Sequence, residues 1–254
     1  MLQFRELSLA GVTTLLCDAD GNLFPSEDPA FDAAATVMNR MLESLGVDAH
    51  YCGPTLRRTA TGRNFRSIVE ELARERGVAI DEPLLDAWVE EEVAVVTEHL
   101  GGVLRPDAHV IEALDVLQRT FRLAVVSSSA LRRLAVCFTA TGLDRLFPHE
   151  RRFSAQDSLP FPTSKPDPAV YVFAGTRLGI GSGEGLAIED ASSGVASARA
   201  AGFEAIGNVL FVAPEERDER IEELRAAGAG AVVQDWAEVV DLLAECPVAG
   251  ESVA

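Results

Sequence analysis

Two aspartates separated by one residue follow a short apolar run near the start of the chain, in "LLCDADGNLF" (15–24). Side chains two residues apart in an extended segment point to the same side, so Asp18 and Asp20 are expected to lie close together. Two neighbouring carboxylates repel each other unless a cation or a shared proton is present. The spacing therefore predicts a site that holds a positive charge.

Further polar side chains stand at the ends of later apolar runs. "FRLAVVSSS" ends in Ser127–Ser129, "EGLAIED" ends in Glu189 and Asp190, and Lys165 lies between these runs in "TSKPDP". In open parallel sheets, ligands bind at the carboxyl ends of the strands, where the strand order reverses. We therefore expect these groups to converge on the two aspartates.

Such a set of groups suits phosphoryl transfer. Mg²⁺ prefers carboxylate oxygens together with phosphate and water, and Asp18 and Asp190 can supply those oxygens. Asp18 can also act as a nucleophile, since aspartate can form an acyl phosphate. Asp20 could give a proton to the leaving oxygen and later take one from the attacking water.

The remaining groups have supporting roles in this hypothesis. Ser127 can donate a hydrogen bond to a phosphoryl oxygen, and Lys165 can offset the repulsion between nucleophile and phosphate. Gly21 allows a sharp turn that directs backbone N–H groups to the phosphate. Ser128 and Ser129 are open between contacting the phosphate and capping the helix that follows them.

The order of the predicted elements indicates the fold class. After residue 100, apolar strands alternate with helical segments, which is typical of a parallel sheet covered by helices on both faces. Between Ser26 and about Gly101 the strand signals vanish, and helical spacing covers 31–45, 64–77 and 83–100. We predict an α/β fold with a doubly wound Rossmann-like parallel sheet in 1–25 and 102–254 and an inserted helical domain in 26–101.

The four segments "DADGNLF", "VVSSS", "SKPDP" and "AIEDASSGVASARAAG" resemble the ordered motifs of the haloacid dehalogenase-like hydrolase superfamily. The resemblance covers the whole core, and the insert resembles that family's helical cap. It is strongest to the branch containing beta-phosphoglucomutase and small phosphosugar phosphatases.

The resemblance implies a role for each matched residue. Asp18 would be the nucleophile, Asp20 the general acid/base, and Ser127 and Lys165 the stabilisers of the phosphate. The implied magnesium ligands are Asp18, the backbone carbonyl of Asp20 and Asp190, with Glu189 a ligand or a support for one.

One residue departs from the family pattern. Asn22 stands where members usually carry threonine, and it is expected to donate locally beside Gly21 in the substrate-binding loop. The namesake dehalogenases lack the second aspartate of the first motif. The presence of Asp20 therefore argues against dehalogenation. The segment 26–101 contains no lysine, which excludes the Schiff-base chemistry of the phosphonate-cleaving relatives.

Arginines in the insert are candidates for substrate binding. Arg63 and Arg66 lie three residues apart on one predicted helix face and could hold an anionic or polyhydroxyl substrate. The alternative is that Arg66 only pairs with Glu70, four residues on. Arg57 and Arg58 are weaker candidates of the same kind.

Composition excludes several classes of partner. The formal charge of −18 over 254 residues argues against nucleic acid and anionic membranes, because both select basic surfaces. The four scattered cysteines show no zinc or disulfide spacing. No apolar run is long enough to cross a bilayer. We expect a cytoplasmic protein, either a monomer or a weak homodimer, whose partner is a small phosphorylated metabolite.

Three functions remain open at this point. The first is a magnesium-dependent phosphatase acting on a small phosphorylated metabolite, with a sugar phosphate as the expected substrate. The second is a phosphomutase of the beta-phosphoglucomutase type, which would need a second cationic clamp in the cap. The third is a non-catalytic protein that binds a phosphorylated metabolite.

Overall fold

The computed structural model describes residues 1–60 and 65–244. The chain divides into two compact units. The first, here called the core unit, comprises Met1–Phe24 and Arg105–Ala254. The second, here called the helical unit, comprises Pro25–Leu104.

The core unit is built on a sheet that has seven strands within the described residues, in the order β1-β7-β6-β5-β2-β3-β4. All neighbouring strands are parallel except β1 and β7, which are antiparallel. The central strands are buried along their length, because helices cover both faces of a parallel sheet. The predicted doubly wound α/β fold is confirmed. The strands are β1 Leu2–Gln3, β2 Thr14–Cys17, β3 Arg122–Ser127, β4 Arg152–Ser154, β5 Gly185–Glu189, β6 Glu204–Asn208 and β7 Ala231–Val233.

The described part of the helical unit consists of α1 Glu27–Ser44, α2 Gly53–Ala60, α3 Phe65–Arg76 and α4 Glu82–Val103. Helix α1 packs against α2 and α4 through an apolar face that includes Met38 and Met41. The α4 N-terminus is capped by Asp81, whose carboxylate accepts a hydrogen bond from the backbone N–H of Leu84 at 2.9 Å. Helix α4 continues to Val103, three residues beyond the helical spacing that the sequence predicts for 83–100.

Six further helices belong to the core unit within the described residues. Helix α5 contacts α10, while α7, α8 and α9 form a separate series of neighbouring contacts. None of the described helices of either unit combines the length and apolar character that a membrane span requires. The expected cytoplasmic location and oligomeric state stay predictions. The helices are α5 Ala108–Leu117, α6 Leu131–Thr141, α7 Ala169–Leu178, α8 Ser192–Ala200, α9 Arg217–Ala226 and α10 Trp236–Ala244.

The strand order reverses beside β2. The chain runs from β2 through β3 to β4 at one edge and then returns to β5 on the other side of β2. Cys17, the last residue of β2, pairs with Val125 of β3 and with Ile188 of β5. The residues that follow these three positions therefore meet at one end of the sheet, where this class of fold binds its ligands.

Candidate active site

Three acids lie at adjacent strand ends because β2 and β5 are paired in register. Asp18 directly follows β2, and its backbone N–H donates to the carbonyl of Ile188 at 3.0 Å. Glu189 is the last residue of β5, and Asp190 follows it. All three carboxylates are buried. The parallel register therefore places three acids at the reversal point of the sheet.

Lys165 joins two of these acids. Its Nζ donates to Asp18 Oδ1 at 2.5 Å, to Glu189 Oε1 at 2.6 Å and to the Val126 carbonyl at 2.8 Å. Only 5% of the lysine side chain is exposed. Burial alone would lower the pKa of Lys165, but the charges of Asp18 and Glu189 raise it above its usual value. The ammonium group is therefore held charged against the predicted nucleophile.

The acidic cluster carries more negative charge than Lys165 neutralises. Asp18, Glu189 and Asp190 each offer a carboxylate oxygen, and these atoms lie within 4.8 Å of one another. Burial raises the pKa of Asp18 to about 8; Lys165 opposes this shift, and the charges of Glu189 and Asp20 add to it. Burial likewise raises the pKa of Glu189. Hard oxygen donors in this arrangement fit a divalent cation such as Mg²⁺.

Neighbouring groups fix the orientation of Glu189. The Tyr171 hydroxyl donates to Glu189 Oε1, the same oxygen that binds Lys165. On the other side, Gly194 in the first turn of α8 lies so close that a Cβ atom there would overlap the Glu189 carboxylate. Asp190 has its own support, because Arg220 Nη1 donates to the Asp190 carbonyl at 2.8 Å and lies 3.9 Å from its Oδ2.

The turn after Asp18 needs glycine for two reasons. Gly21 has φ of +76°, a conformation that other residues rarely adopt, and a Cβ atom there would overlap the Asp190 carboxylate. Its backbone N–H donates to the carbonyl of Phe24 at 3.0 Å. The turn itself therefore uses this donor, and the prediction that the turn directs backbone N–H groups to a phosphate stays a prediction.

Asn22 lies in the interior of the core unit. Its Nδ2 donates to the carbonyls of Asp18 at 2.9 Å and Ile188 at 3.1 Å, and its Oδ1 accepts from Asn208 Nδ2 at 2.9 Å. The Trp236 indole donates to the Asn22 carbonyl at 3.0 Å. The side chain is fully buried. The prediction that Asn22 binds substrate is wrong for this reason; its amide ties the end of β2 to β5 and β6.

The three consecutive serines have three different contacts. Ser127 Oγ accepts from the Ser129 backbone N–H at 3.0 Å, and Ser128 Oγ accepts from the Lys165 backbone N–H at 3.1 Å. Ser129 Oγ donates to Asp20 Oδ2 at 2.6 Å. The alternative that these serines cap α6 is wrong, because Ala130 occupies the N-cap position without a side-chain hydrogen bond.

Asp20 has a second partner that the sequence did not indicate. Arg133 Nη2 donates to Asp20 Oδ1 at 3.1 Å from the first turn of α6. Sequence reasoning also missed Tyr171, Asn208 and Arg220. A basic residue could have been sought in α6, because this helix directly follows the serines at the end of β3. Its only basic residues are Arg132 and Arg133, and Arg133 lies four residues after Ser129.

The predicted arginines of the helical unit have contacts within that unit. Arg66 Nη1 donates to Glu82 Oε2 at 3.1 Å, and its Nη2 donates to Asp86. The alternative held that Arg66 only pairs with Glu70. The structure pairs it instead with two acids of α4. Arg57 lies 3.7 Å from Glu27 and 3.6 Å from Asp28. Arg63 lies outside the described residues, so its predicted role stays a prediction.

Comparisons with known proteins agree with this geometry. A family model described as "Hydrolase: haloacid dehalogenase-like hydrolase" matches residues 12–202. A comparison with curated protein sequences found no significant match. A hydrolase of this family from Deinococcus radiodurans, solved with bound phosphate and sodium, is 25% identical, with 93% of this chain and 96% of that chain covered and a TM-score of 0.69.

Two further solved structures share the fold over nearly the whole chain. A candidate beta-phosphoglucomutase from Thermotoga maritima is 25% identical, with 92% of this chain and 99% of that chain covered and a TM-score of 0.67. A predicted phosphoglycolate phosphatase from Haemophilus somnus is 20% identical, with 91% of this chain and 98% of that chain covered and a TM-score of 0.71.

Proposed function

Because the chain belongs to the haloacid dehalogenase-like hydrolase family, we propose that it is a magnesium-dependent phosphatase acting on a small phosphorylated metabolite. A sugar phosphate is the substrate class we expect. The observation that carries the proposal is the 2.5 Å contact between the buried Lys165 ammonium and Asp18 Oδ1, inside a cluster of three carboxylates. This contact places a fixed positive charge beside the carboxylate that we assign as the nucleophile.

The first step transfers the phosphoryl group to Asp18. A carboxylate oxygen of Asp18 attacks phosphorus, the bond from phosphorus to the ester oxygen breaks, and Asp20 gives its proton to that leaving oxygen. Lys165 reduces the repulsion between the two anions during the attack. This local charge matters because the net charge of −18 otherwise disfavours anionic substrates.

The second step releases phosphate. Asp20 takes a proton from a water molecule, the water oxygen attacks phosphorus, and the bond to Asp18 breaks with its electron pair returning to the carboxylate. The products are inorganic phosphate and the original enzyme. Ser127 is the last residue of β3, and Ser128 Oγ accepts from the Lys165 backbone N–H. We assign their hydroxyl groups as hydrogen-bond donors to the phosphoryl oxygens.

The residues fit a magnesium ion. We assign Asp18, the Asp20 backbone carbonyl and Asp190 as its ligands, with Glu189 as a ligand or as the residue that orients one. When bound, Mg²⁺ supplies positive charge that stabilises the phosphoryl oxygens. The phosphate and sodium bound to the similar Deinococcus hydrolase support a site that combines a cation and an anion.

The test is phosphate release from 4-nitrophenyl phosphate and from a panel of phosphorylated sugars, polyols, nucleotides and acids. We expect turnover with Mg²⁺, loss of turnover with a chelator, and recovery when Mg²⁺ is restored. The matched control is Asp18→Asn, which should be inactive on every substrate. Absence of turnover with any divalent metal would refute the proposal and favour a non-catalytic binding protein.

The same panel tests the mutase alternative. A mutase would produce an isomerised sugar phosphate with little free phosphate. A phosphatase would release inorganic phosphate and the dephosphorylated metabolite in equal amounts. A mutase also needs a second cationic clamp for the other phosphate of a bisphosphate intermediate. Arg66, a candidate for that clamp, is paired with Glu82 and Asp86, which supports hydrolysis as the main reaction.

A further inference from the structure

Asp20 is held at both of its carboxylate oxygens by the segment that follows β3. Ser129 Oγ donates to Oδ2 at 2.6 Å, and Arg133 Nη2 donates to Oδ1 at 3.1 Å. Ser129 lies in the loop before α6 and Arg133 in the first turn of that helix, so one short segment supplies both donors. Two contacts on different oxygens fix the plane of a carboxylate as well as its position.

We propose that Arg133 is a positioning residue that, together with Ser129, holds Asp20 for the proton transfer from water in the second step. The inference rests on the proposed phosphatase function and adds a residue outside the matched motifs. Arg133 acts through Asp20 rather than on the substrate.

The position of the Asp20 carboxylate bears directly on the reaction rate. The side chains of Arg133 and Asp20 are 25% and 22% exposed, so the pair is partly buried. An acid or base displaced by about 1 Å from its reacting partner loses a large part of its rate contribution.

The hydrogen-bonding capacity of Asp20 is compatible with this role. An ionised carboxylate has about four acceptor positions on its two oxygens. The donors of Ser129 and Arg133 bind different oxygens and so restrict the rotation of the group. Lys165 orients Asp18 in the same way, so each of the two aspartates has its own cationic partner.

The choice of substrate separates the two chemical steps. 4-Nitrophenolate is a good leaving group and leaves without help from a general acid, so kcat/KM for its phosphate ester reports the transfer to Asp18. Steady-state kcat then reports hydrolysis of the aspartyl phosphate, which needs Asp20 as a base. A defect in Asp20 positioning should lower kcat and KM together.

The experiment compares wild type with Arg133→Met in the presence of Mg²⁺. We expect kcat to fall by about 10- to 100-fold, which is part of the 10²- to 10⁴-fold that general acid–base catalysis contributes. We expect kcat/KM to change by less than about threefold, because the first step is spared. Stopped-flow traces should show a burst approaching one nitrophenolate per enzyme, followed by slow turnover.

Four further variants control the result. Arg132→Met removes the same charge from the neighbouring exposed position and should behave as wild type. Ser129→Ala should give the same split between kcat and kcat/KM, and combining it with Arg133→Met should cost less than the two effects multiplied. Arg133→Lys keeps the positive charge but lacks the planar guanidinium group. Its kcat should therefore lie between those of Arg133→Met and wild type.

The outcomes distinguish this inference from the function on which it depends. Wild-type protein that releases no nitrophenolate would refute the proposed function. If wild type is active, two results for Arg133→Met would overturn the positioning role. One is an equal fall in kcat and kcat/KM, and the other is no change in either quantity. If Arg133→Met does not fold by circular dichroism, the same two ratios measured on Arg133→Lys decide the question.

Discussion

Cations are used differently in the core unit and in the helical unit. Lys165 of the core unit is almost fully buried and contacts two buried acids. Arg66 of the helical unit is 34% exposed, and its partner Glu82 is 78% exposed. Both residues form close ion pairs, but only the first pair is shielded from water.

This difference separates the residues that determine chemistry from those that can change at little cost. Leaving one partner of a buried pair alone costs about 3–5 kcal/mol, because the remaining charge stays desolvated. Breaking an exposed pair costs roughly 0–1 kcal/mol. The core unit is therefore constrained to keep its buried site intact, while the exposed ion pairs of the helical unit can change at little cost in stability.

The largest expected effect comes from the buried site. Asp18→Asn should lower turnover at least about 10³-fold, because it removes the nucleophile and one charge of the proposed metal site. The fold should persist, since Lys165 keeps its contacts with Glu189 and the Val126 carbonyl. Turnover and thermal unfolding of the purified variant are the two measurements. Activity retained in a folded variant would contradict the covalent mechanism.

A matched pair of glycine variants compares close packing in the two units. Gly194→Ala in α8 places a Cβ atom into the Glu189 carboxylate and should destabilise the protein by about 1–3 kcal/mol, with loss of turnover. Gly102→Ala in α4 meets no atom within 4 Å and should stabilise the protein by roughly 0.5–1 kcal/mol. Denaturant unfolding measures both changes. If both variants changed the free energy of unfolding equally, the close contact between Gly194 and the Glu189 carboxylate would be contradicted.

The acidic cluster should make stability depend on pH when no metal is bound. Burial raises the pKa of Asp18 from its usual 3.8 to about 8, so between these values the folded protein retains a proton that the unfolded chain has released. The free energy of unfolding should therefore fall as pH rises through this range.

Magnesium should reverse that trend, because its ligands must be deprotonated and the ion competes with the proton. We expect Mg²⁺ to raise the Tm by about 2–4 °C more at pH 8 than at pH 6. Asp18→Asn is the control and should remove most of the difference. An equal rise in Tm at both pH values would contradict a metal site that includes Asp18.

The site residues that could be predicted from sequence are those that follow apolar strands. Asp18, Glu189 and Lys165 were predicted to converge because the carboxyl ends of parallel strands meet at one edge, and the structure brings them within hydrogen-bond or ligand distance. The short strand β1 was missed, because two residues carry no periodic signal and their pairing with β7 depends on tertiary structure.

The residues that could not be predicted depend on packing between distant segments. Asn22 was expected at the surface of the site, but Asn208 and Trp236, which are 186 and 214 residues away in sequence, enclose it. Arg133 reaches Asp20 from the first turn of α6, across 113 residues of sequence. Helix α2 begins with Gly-Pro and has few apolar residues, so its pattern was too weak to recognise.

The smallest expected effect lies in the helical unit. Arg66→Ala should change the free energy of unfolding by less than about 1 kcal/mol, because both of its acidic partners are exposed. If Arg66 also contacts substrate, the variant should raise KM for one class of phosphorylated metabolite far more than KM for 4-nitrophenyl phosphate. The control is Arg40→Ala, which breaks the exposed pair with Glu91 at 2.7 Å in the same unit. Similar kinetics for the two variants would place Arg66 outside the substrate pocket. If Arg66→Ala lost as much stability as Gly194→Ala, the distinction between buried and exposed charge in the two units would not hold.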